Sequence, residues 1–312
     1  MSNSIVVSIV CTTYNQESFI GQAVESFLAQ ILSVPYEIII HDDASTDGTR
    51  EILRNYAERY PQRITVIQQN SNIYSTGQRV FDVALSYAKG EFIAPCEGDD
   101  FWCDPLKLHK QLVFLTENSD FGAVFTDTNV LNQTTQSTAL SHDASRGFNP
   151  PTGDVKADLV RGNPYKSCSV LLRALALNGY QVHADFLKAK MLDYILWLHV
   201  ASNYKIGYLN ESMATYRVLP HSASHFSVNI GKIKFEKSAY KVSVYFNKCF
   251  GHVVNSGELK SAYAHNMFIY FLKKRQFKVA VQYARCDKHF LVQLLAVVKR
   301  QVRALICRWQ KT

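Results

Sequence analysis

A chain of 312 residues, 47% hydrophobic and only 19% charged, can bury a substantial core, which excludes a disordered or low-complexity protein. The formal charge of +8 is unevenly spread: residues 226–312 hold 17 Lys and Arg against 3 Asp and Glu, a net of +14, while residues 1–225 carry a net of −6. That asymmetry predicts two regions, 1–225 and 226–312, that meet different partners or each other.

Seven cysteines, an odd number with no C-x-x-C spacing, argue against a disulfide framework and structural zinc. The opening "MSNSIVVSIV" has no basic n-region or cleavage site, so the expected location is cytoplasmic. The apolar run "FLVQLLAVV" falls short of the roughly 20 residues a membrane-spanning helix needs.

In chain order, "SIVVSIVC" (Ser4–Cys11) reads as a buried strand. Phe19, Ile20, Ala23, Val24, Phe27, Leu28 and Ile31 then form a helical stripe. "YEIIIH" is a second strand, followed by the turn-rich "DDASTDGT" and a helix with Ile52, Leu53, Tyr56 and Tyr60 on one face. "RITVIQ" is a third strand. "GQRVFDVALSYAKG" reads as a helix closed by Gly90, and "EFIAP" as a fourth strand. Asp104 and Pro105 suit the N-cap and first position of the next helix, and "FGAVFTD" is a further strand. The polar stretch Gln133–Lys156 reads as a mobile loop. Helix resumes over Ala184–Ala201, then a strand "KIGYL".

This alternation predicts an α/β fold, a Rossmann-like, mostly parallel sheet with helices on both faces, plus a basic helical C-terminal region. Ligands of such sheets bind beyond the carboxyl ends of the strands. Three polar clusters fall there: "TTYN", "HDDAS" and "EGDD". Adjacent Asp99 and Asp100 can hold Mg2+ or Mn2+, which favour carboxylate oxygens and share their shell with phosphate and water. On an extended backbone the two point oppositely, so that one binds metal and the other faces a ribose hydroxyl. A solvated, capped turn is the plain alternative. A carboxylate at Asp42 or Asp43 can accept the N3–H of a uracil, with Tyr14 offering a face to the base. Against this stand a loop cap onto Ser45 or Thr46 and ordinary packing of Tyr14.

"VSIVCTTYNQESFIGQAVESFLAQ", "YEIIIHDDASTDGT" and "GEFIAPCEGDDFWCDPLKLHKQLVFL" resemble, in order, spacing and strand-end placement, the family 2 glycosyltransferases of GT-A fold, over roughly Ile5 to Ser224. The resemblance implies a nucleoside-diphosphate-sugar donor, usually a UDP-sugar, a divalent metal (Mn2+ or Mg2+) and a glycan or lipid-linked acceptor. It places Thr12, Tyr14 and Asp43 at the base, Asp99 near the ribose, Asp100 on the metal, and Asp193, in "DYILWLHVA", as the base that takes the acceptor proton. Asp193 also suits the N-cap of its helix. Glu97, separated from Asp99 by Gly98, would stand behind the metal ligands. One departure is "YRVLPHSAS": Leu219 occupies the place where many relatives carry His, His221 and His225 are out of register, and Arg217 could meet phosphate or an internal carboxylate.

Leu291, Leu295, Val298, Val302, Leu305 and Trp309 recur at steps of three and four, with Lys299, Arg300, Arg303 and Arg308 between them. Such a helix either packs on the core or seats on an anionic surface at the inner face of the plasma membrane. No recognition motif accompanies the charge, so nucleic acid is not expected. The function expected is inverting, metal-dependent sugar transfer in bacterial-type surface polysaccharide synthesis. The alternative is a non-catalytic sugar-nucleotide-binding or scaffold protein on the same fold. A nucleotidyltransferase would need a Gly- and Lys-rich phosphate loop, which "TTYNQES" lacks.

Overall fold

The computed structural model describes residues 4–187, 191–220 and 229–285. The chain divides into two compact units: one is built from residues up to 159, 163–188 and 192–225, the other mainly from residue 226 onward together with 160–162 and 189–191.

The first unit opens with β1 (Val7–Thr13), α1 (Ile20–Leu28), β2 (Tyr36–Asp42), α2 (Thr49–Arg59), β3 (Ile64–Gln68), α3 (Val80–Leu85) and β4 (Phe92–Glu97). It continues with β5 (Phe101–Trp102), α4 (Lys107–Glu117), β6 (Phe121–Asn132), β7 (Ser137–Ala139), α5 (His142–Ser145), α6 (Lys156–Arg161), β8 (Leu171–Arg173), α7 (Leu192–Asn203) and β9 (Lys205–Val218). The strands form one sheet in the order β3-β2-β1-β4-β8-β6-β9-β5, with β7 beside β6. Pairing is parallel from β3 through β4 and between β6 and β9, and antiparallel at β8, β5 and β7. The parallel half follows from right-handed strand–helix–strand crossovers. Its central strand β1 is buried along nearly its whole length, because helices cover both faces.

The core gathers Val7, Ile9, Ile38 and Ile40 from the sheet against Ile20, Ala23, Val24 and Phe27 of α1. The α1 stripe stops at Leu28: Ile31 lies beyond the helix end and is 61% exposed. Helix α3 has six residues rather than the fourteen its pattern suggested. Gly90 does not close it. A Cβ there would lie 2.5 Å from the Ser8 nitrogen, so glycine serves the approach of the chain to β1. Asp104 precedes α4 by three residues, and its Oδ1 accepts the Leu106 N–H at 2.8 Å.

The stretch 133–156 is not a structureless loop. It contains β7 and α5, and the α5 start is fastened from β6: Asp127 accepts the N–H groups of Asp143 and Ala144, at 3.0 and 3.2 Å. The expected helix 184–201 resolves into a 3-10 turn at Ala184–Phe186 and α7, with residues 188–190 outside the described set.

The second unit holds α8 (Asn229–Cys249), α9 (Ser256–Lys273) and α10 (Phe277–Arg285). Met267, Phe268 and Phe271 of α9 pack on Ala280 and Ala284 of α10. Asn255 caps α9 by accepting the Gly257 N–H at 2.7 Å. The basic helix expected over Leu291–Trp309, and His221 and His225, lie outside the described residues. Among the described residues no helix is long and apolar enough to cross a membrane.

Candidate active site

Three strand ends stand side by side. Thr12 on β1 pairs in register with His41 on β2 and Glu97 on β4, so the turns that follow emerge along one rim. The first two turns interlock. Asn15 N–H meets Ser45 Oγ at 2.8 Å, Asn15 Oδ1 accepts Thr46 N–H at 2.8 Å, and Gln16 N–H meets Thr49 Oγ1 at 2.9 Å. Asn15 and Ala44 adopt φ of 50° and 63°, in the left-handed region. For alanine that costs about 1–2 kcal/mol, which the interlocking bonds offset.

Asp42 turns inward, where it meets Arg50 Nε at 3.0 Å and the Ser45 N–H. Asp43, also buried, accepts the main-chain N–H groups of Ile73 and Tyr74 at 2.8 and 3.1 Å and so pins the segment after β3 to the rim. The loop cap expected of Asp43 is therefore made by its neighbour Asp42. Tyr14 is 46% exposed at the rim, and Thr12 is half-buried with its carbonyl accepting Gly98 N–H at 3.0 Å.

After β4 the chain does not stay extended. Asp100 N–H bonds back to the Glu97 carbonyl at 3.0 Å, closing a turn through Gly98 and Asp99. A Cβ at Gly98 would lie 2.6 Å from Gln16 Oε1 and 2.8 Å from Ile20 Cδ1, so any larger residue there must displace those side chains. The turn separates the three acids. Glu97 keeps its carboxylate accessible to solvent, although protein surrounds it, and accepts Ser167 Oγ at 3.2 Å. Asp99 is half-buried, and its carboxylate is bonded by the Gln16 side chain. Asp100 is buried: Oδ1 accepts Arg217 N–H at 2.7 Å, and Oδ2 has no hydrogen-bond partner among the described residues, with the weakly donating Cys168 thiol beside the carboxyl.

Arg217 organises this turn instead of projecting toward a ligand. Its Nε donates to the Asp99 carbonyl at 2.7 Å, Nη1 and Nη2 donate to Gln133 and Gln22 at 2.7 Å each, and the guanidinium lies over Phe19. The internal carboxylate expected as one partner of Arg217 is met by its main-chain N–H, at Asp100, while the guanidinium bonds a main-chain carbonyl and two amide oxygens.

Asp193 sits in the first turn of α7, half-buried, and accepts Asn163 Nδ2 at 3.3 Å. It is close enough to Glu97 to raise that group's pKa. The surrounding protein, Asp99 and Asp193 together push Glu97 up to about 7. Burial lifts Asp99 and Asp193 as well, and burial with the charges of Asp99 and Glu97 lifts Asp100 well above the carboxylate range. Burial lifts all four acids, and neighbouring carboxylates lift Glu97 and Asp100 further, which marks a site short of positive charge.

The donor set suits a hard divalent cation: it is all oxygen, and one buried acceptor, Asp100 Oδ2, has no strong donor among the described residues. Among the described residues no three His, Cys, Asp or Glu side chains form a ready metal cage, so phosphate and water would complete the shell. The residues expected at the site thus fall in two groups. Asp99, Asp100 and Asp193 gather with Glu97, whereas Thr12, Tyr14 and Asp43 line the neighbouring rim. Gln16, Asn163 and Ser167, which hold these acids, carry no sequence signal beyond polar positions in "TTYNQE" and "RGNPYKSCS".

The sequence profile described as Glycosyl transferase family 2 matches residues 8–175, more than half of the chain. The chain belongs to that family. The match includes Thr12, Tyr14, Asp43, Asp99 and Asp100; Asp193 lies beyond it. An uncharacterized protein of Mycobacterium tuberculosis is 36% identical over 225 residues, 70% of this chain and 60% of that relative, so the chain spans less than two thirds of that relative's length. TuaG of Bacillus subtilis, whose name assigns it provisionally to teichuronic acid biosynthesis as a glycosyltransferase, is 31% identical over 70% of this chain and 81% of its own. Among solved structures, Staphylococcus aureus TarS in complex with UDP-GlcNAc superposes with a TM-score of 0.60 at 17% identity, covering 90% of this chain and 81% of TarS. The mannosyltransferase PcManGT of Pyrobaculum calidifontis, with GDP-Man and Mn2+, gives 0.57 at 15% identity over 95% of this chain and 80% of that one. The family 2 chain therefore has the expected α/β glycosyltransferase fold, parallel in its first half and mixed beyond β4.

Proposed function

We infer that the chain is an inverting glycosyltransferase that moves a sugar from a nucleoside diphosphate, UDP by preference, to a hydroxyl of a glycan or lipid-linked saccharide in bacterial-type surface polysaccharide synthesis. The observation that carries this reading is the meeting of Glu97, Asp99 and Asp100 at the end of β4 with Asp193 from the start of α7. The donors bound in TarS and PcManGT, and the name of TuaG, support the donor and acceptor classes.

Tyr14 offers its exposed ring to the base, Thr12 borders it, and the remaining lone pairs of Asp43 accept a base N–H. Asp99 faces the ribose. Asp100 would hold Mn2+ or Mg2+ through Oδ2, and such an ion, when bound, neutralises charge developing on the departing diphosphate. Asp193, with its pKa raised by burial, takes the proton of the acceptor hydroxyl. The hydroxyl oxygen forms the new bond to the sugar's anomeric carbon. The bond from that carbon to the diphosphate breaks, and its electron pair leaves with the nucleoside diphosphate.

Calorimetry with UDP-sugars, with and without Mn2+, tests the donor half. Metal-dependent binding is expected and should be lost in Asp100→Ala; equal binding by both proteins would refute the metal role. A sugar-nucleotide-binding protein without catalysis would bind in the same way and show no turnover with any acceptor.

A further inference from the structure

The α9–α10 hairpin presents a face that the sugar-transfer reading does not use. Helix α10 packs by its small side: Ala280 and Ala284 are buried against Met267, Phe268 and Phe271, and the rings of Phe271 and Tyr283 stack at 5.6 Å. On the opposite side Phe277, Lys278, Val281, Gln282 and Arg285 line one shallow surface. Their spacing of one, four, five and eight residues from Phe277 puts them on one face of the helix.

Phe277 is 59% exposed and Val281 40%. Lys273 ends α9, and Lys274 and Arg275 form the turn before α10, with Arg275 at a left-handed φ of 57° that reverses the chain. All five cations are exposed, and residues 272–285 contain no Asp or Glu. Among the described residues none of the five meets a carboxylate.

Two features of this surface select its partner. An uncompensated cationic stripe calls for an anionic surface. An aliphatic side chain such as Val281 standing among those cations gains nothing from a soluble polyanion, and no nucleic-acid recognition motif accompanies Phe277, yet both side chains enter the headgroup–acyl boundary of a bilayer readily. A protein partner would demand a contiguous apolar patch instead of side chains separated by charge.

We propose that the last residue of α9, the turn 274–275 and the outer face of α10 form a seat on an anionic lipid bilayer, with Phe277 and Val281 inserted and Lys273, Lys274, Arg275, Lys278 and Arg285 over the headgroups. This goes beyond the donor site, and its test needs no donor. The seat stands on residues 272–285 alone and is separate from the helical pattern at 291–309.

Full-length protein is sedimented with phosphatidylglycerol vesicles and with phosphatidylcholine vesicles at low and high salt. Binding should favour phosphatidylglycerol and weaken with salt. Each cation at such a surface is worth about a fivefold change in partition, so Lys273→Gln, Lys274→Gln and Arg275→Gln together should weaken it about 100-fold. Phe277→Ser should weaken it separately, with charge and salt dependence unchanged, so the two variants check one another. Binding by the triple variant equal to that of the unaltered chain would overturn the seat. So would equal partition to both lipids, or an unchanged Phe277→Ser variant that polyglutamate displaces from the vesicles as readily as added lipid does.

Discussion

Asp193 and Glu97 lie within electrostatic range of each other and have different tasks. Asp193→Asn keeps the shape and the Asn163 contact but removes the proton acceptor. Transfer should fall by about 10²–10⁴-fold, with donor affinity retained in calorimetry. Near-normal turnover would remove Asp193 as the base. Glu97 makes a different prediction, through its pKa of about 7 against an ordinary 4.5. The folded protein holds that proton more tightly than the unfolded chain. The associated stability is complete below pH 4.5 and is lost as pH rises through about 7. Melting temperature of the ligand-free protein should decline over that window, and Glu97→Gln should flatten the decline. Mn2+ should raise the melting temperature more at the alkaline end, because it replaces protons on the same acids. Asp99 and Asp100 follow the end of β4 and Asp193 lies at the start of α7, the places their sequence context assigns them. Sequence context puts Glu97 in a rear position because two-residue spacing on an extended strand says nothing of a turn. The 97–100 turn sets the two apart in exposure: Glu97 is accessible and Asp100 is buried.

At the scale of elements, the β4 end depends on close approaches. Gly98→Ala would press a methyl against Gln16, Ile20 and Thr13, at 2.6–3.0 Å. The expected cost is about 1–3 kcal/mol. Helix α4 carries an unusual core residue. Lys107 is fully buried, donates to Gln111 Oε1 at 2.8 Å, and lies 4.3 Å from the centre of the Trp102 ring. Burial lowers its pKa from 10.5 to about 7. The unfolded chain then binds the extra proton between those values, so stability should rise with pH from about 7 toward 10.5. Urea titrations across that range should show the rise in the unaltered protein and a flatter profile in Lys107→Met. Periodicity could not announce this residue, since a lysine in a helical pattern reads as solvated. The stretch 133–156 was obscure for the opposite reason. Its composition is that of a loop, and its order comes from Asp127 and Asn129 on β6, which accept the N–H groups at the start of α5.

At the scale of the molecule, a UDP-sugar with Mn2+ should stabilise the protein by about 2.7 kcal/mol at a hundredfold excess over Kd. A thermal-shift series over nucleotide-sugars would read this out and rank the donors. The sequence by itself determined the strand–helix alternation, the parallel half of the sheet and the rim on which ligands bind. Those features are local: buried strands need β-branched runs, surface helices need an apolar stripe, and crossover handedness leaves little choice of topology. Membership of the glycosyltransferase family followed from the same motifs. Only the tertiary structure decided which acids come within range of one another, that Arg217 braces the Asp99–Asp100 turn, that Ser167 and Asn163 hold Glu97 and Asp193, and that α10 turns its cations and Phe277 outward. These are contacts between residues far apart in the chain. Their energies depend on distance and burial, which neither composition nor spacing records.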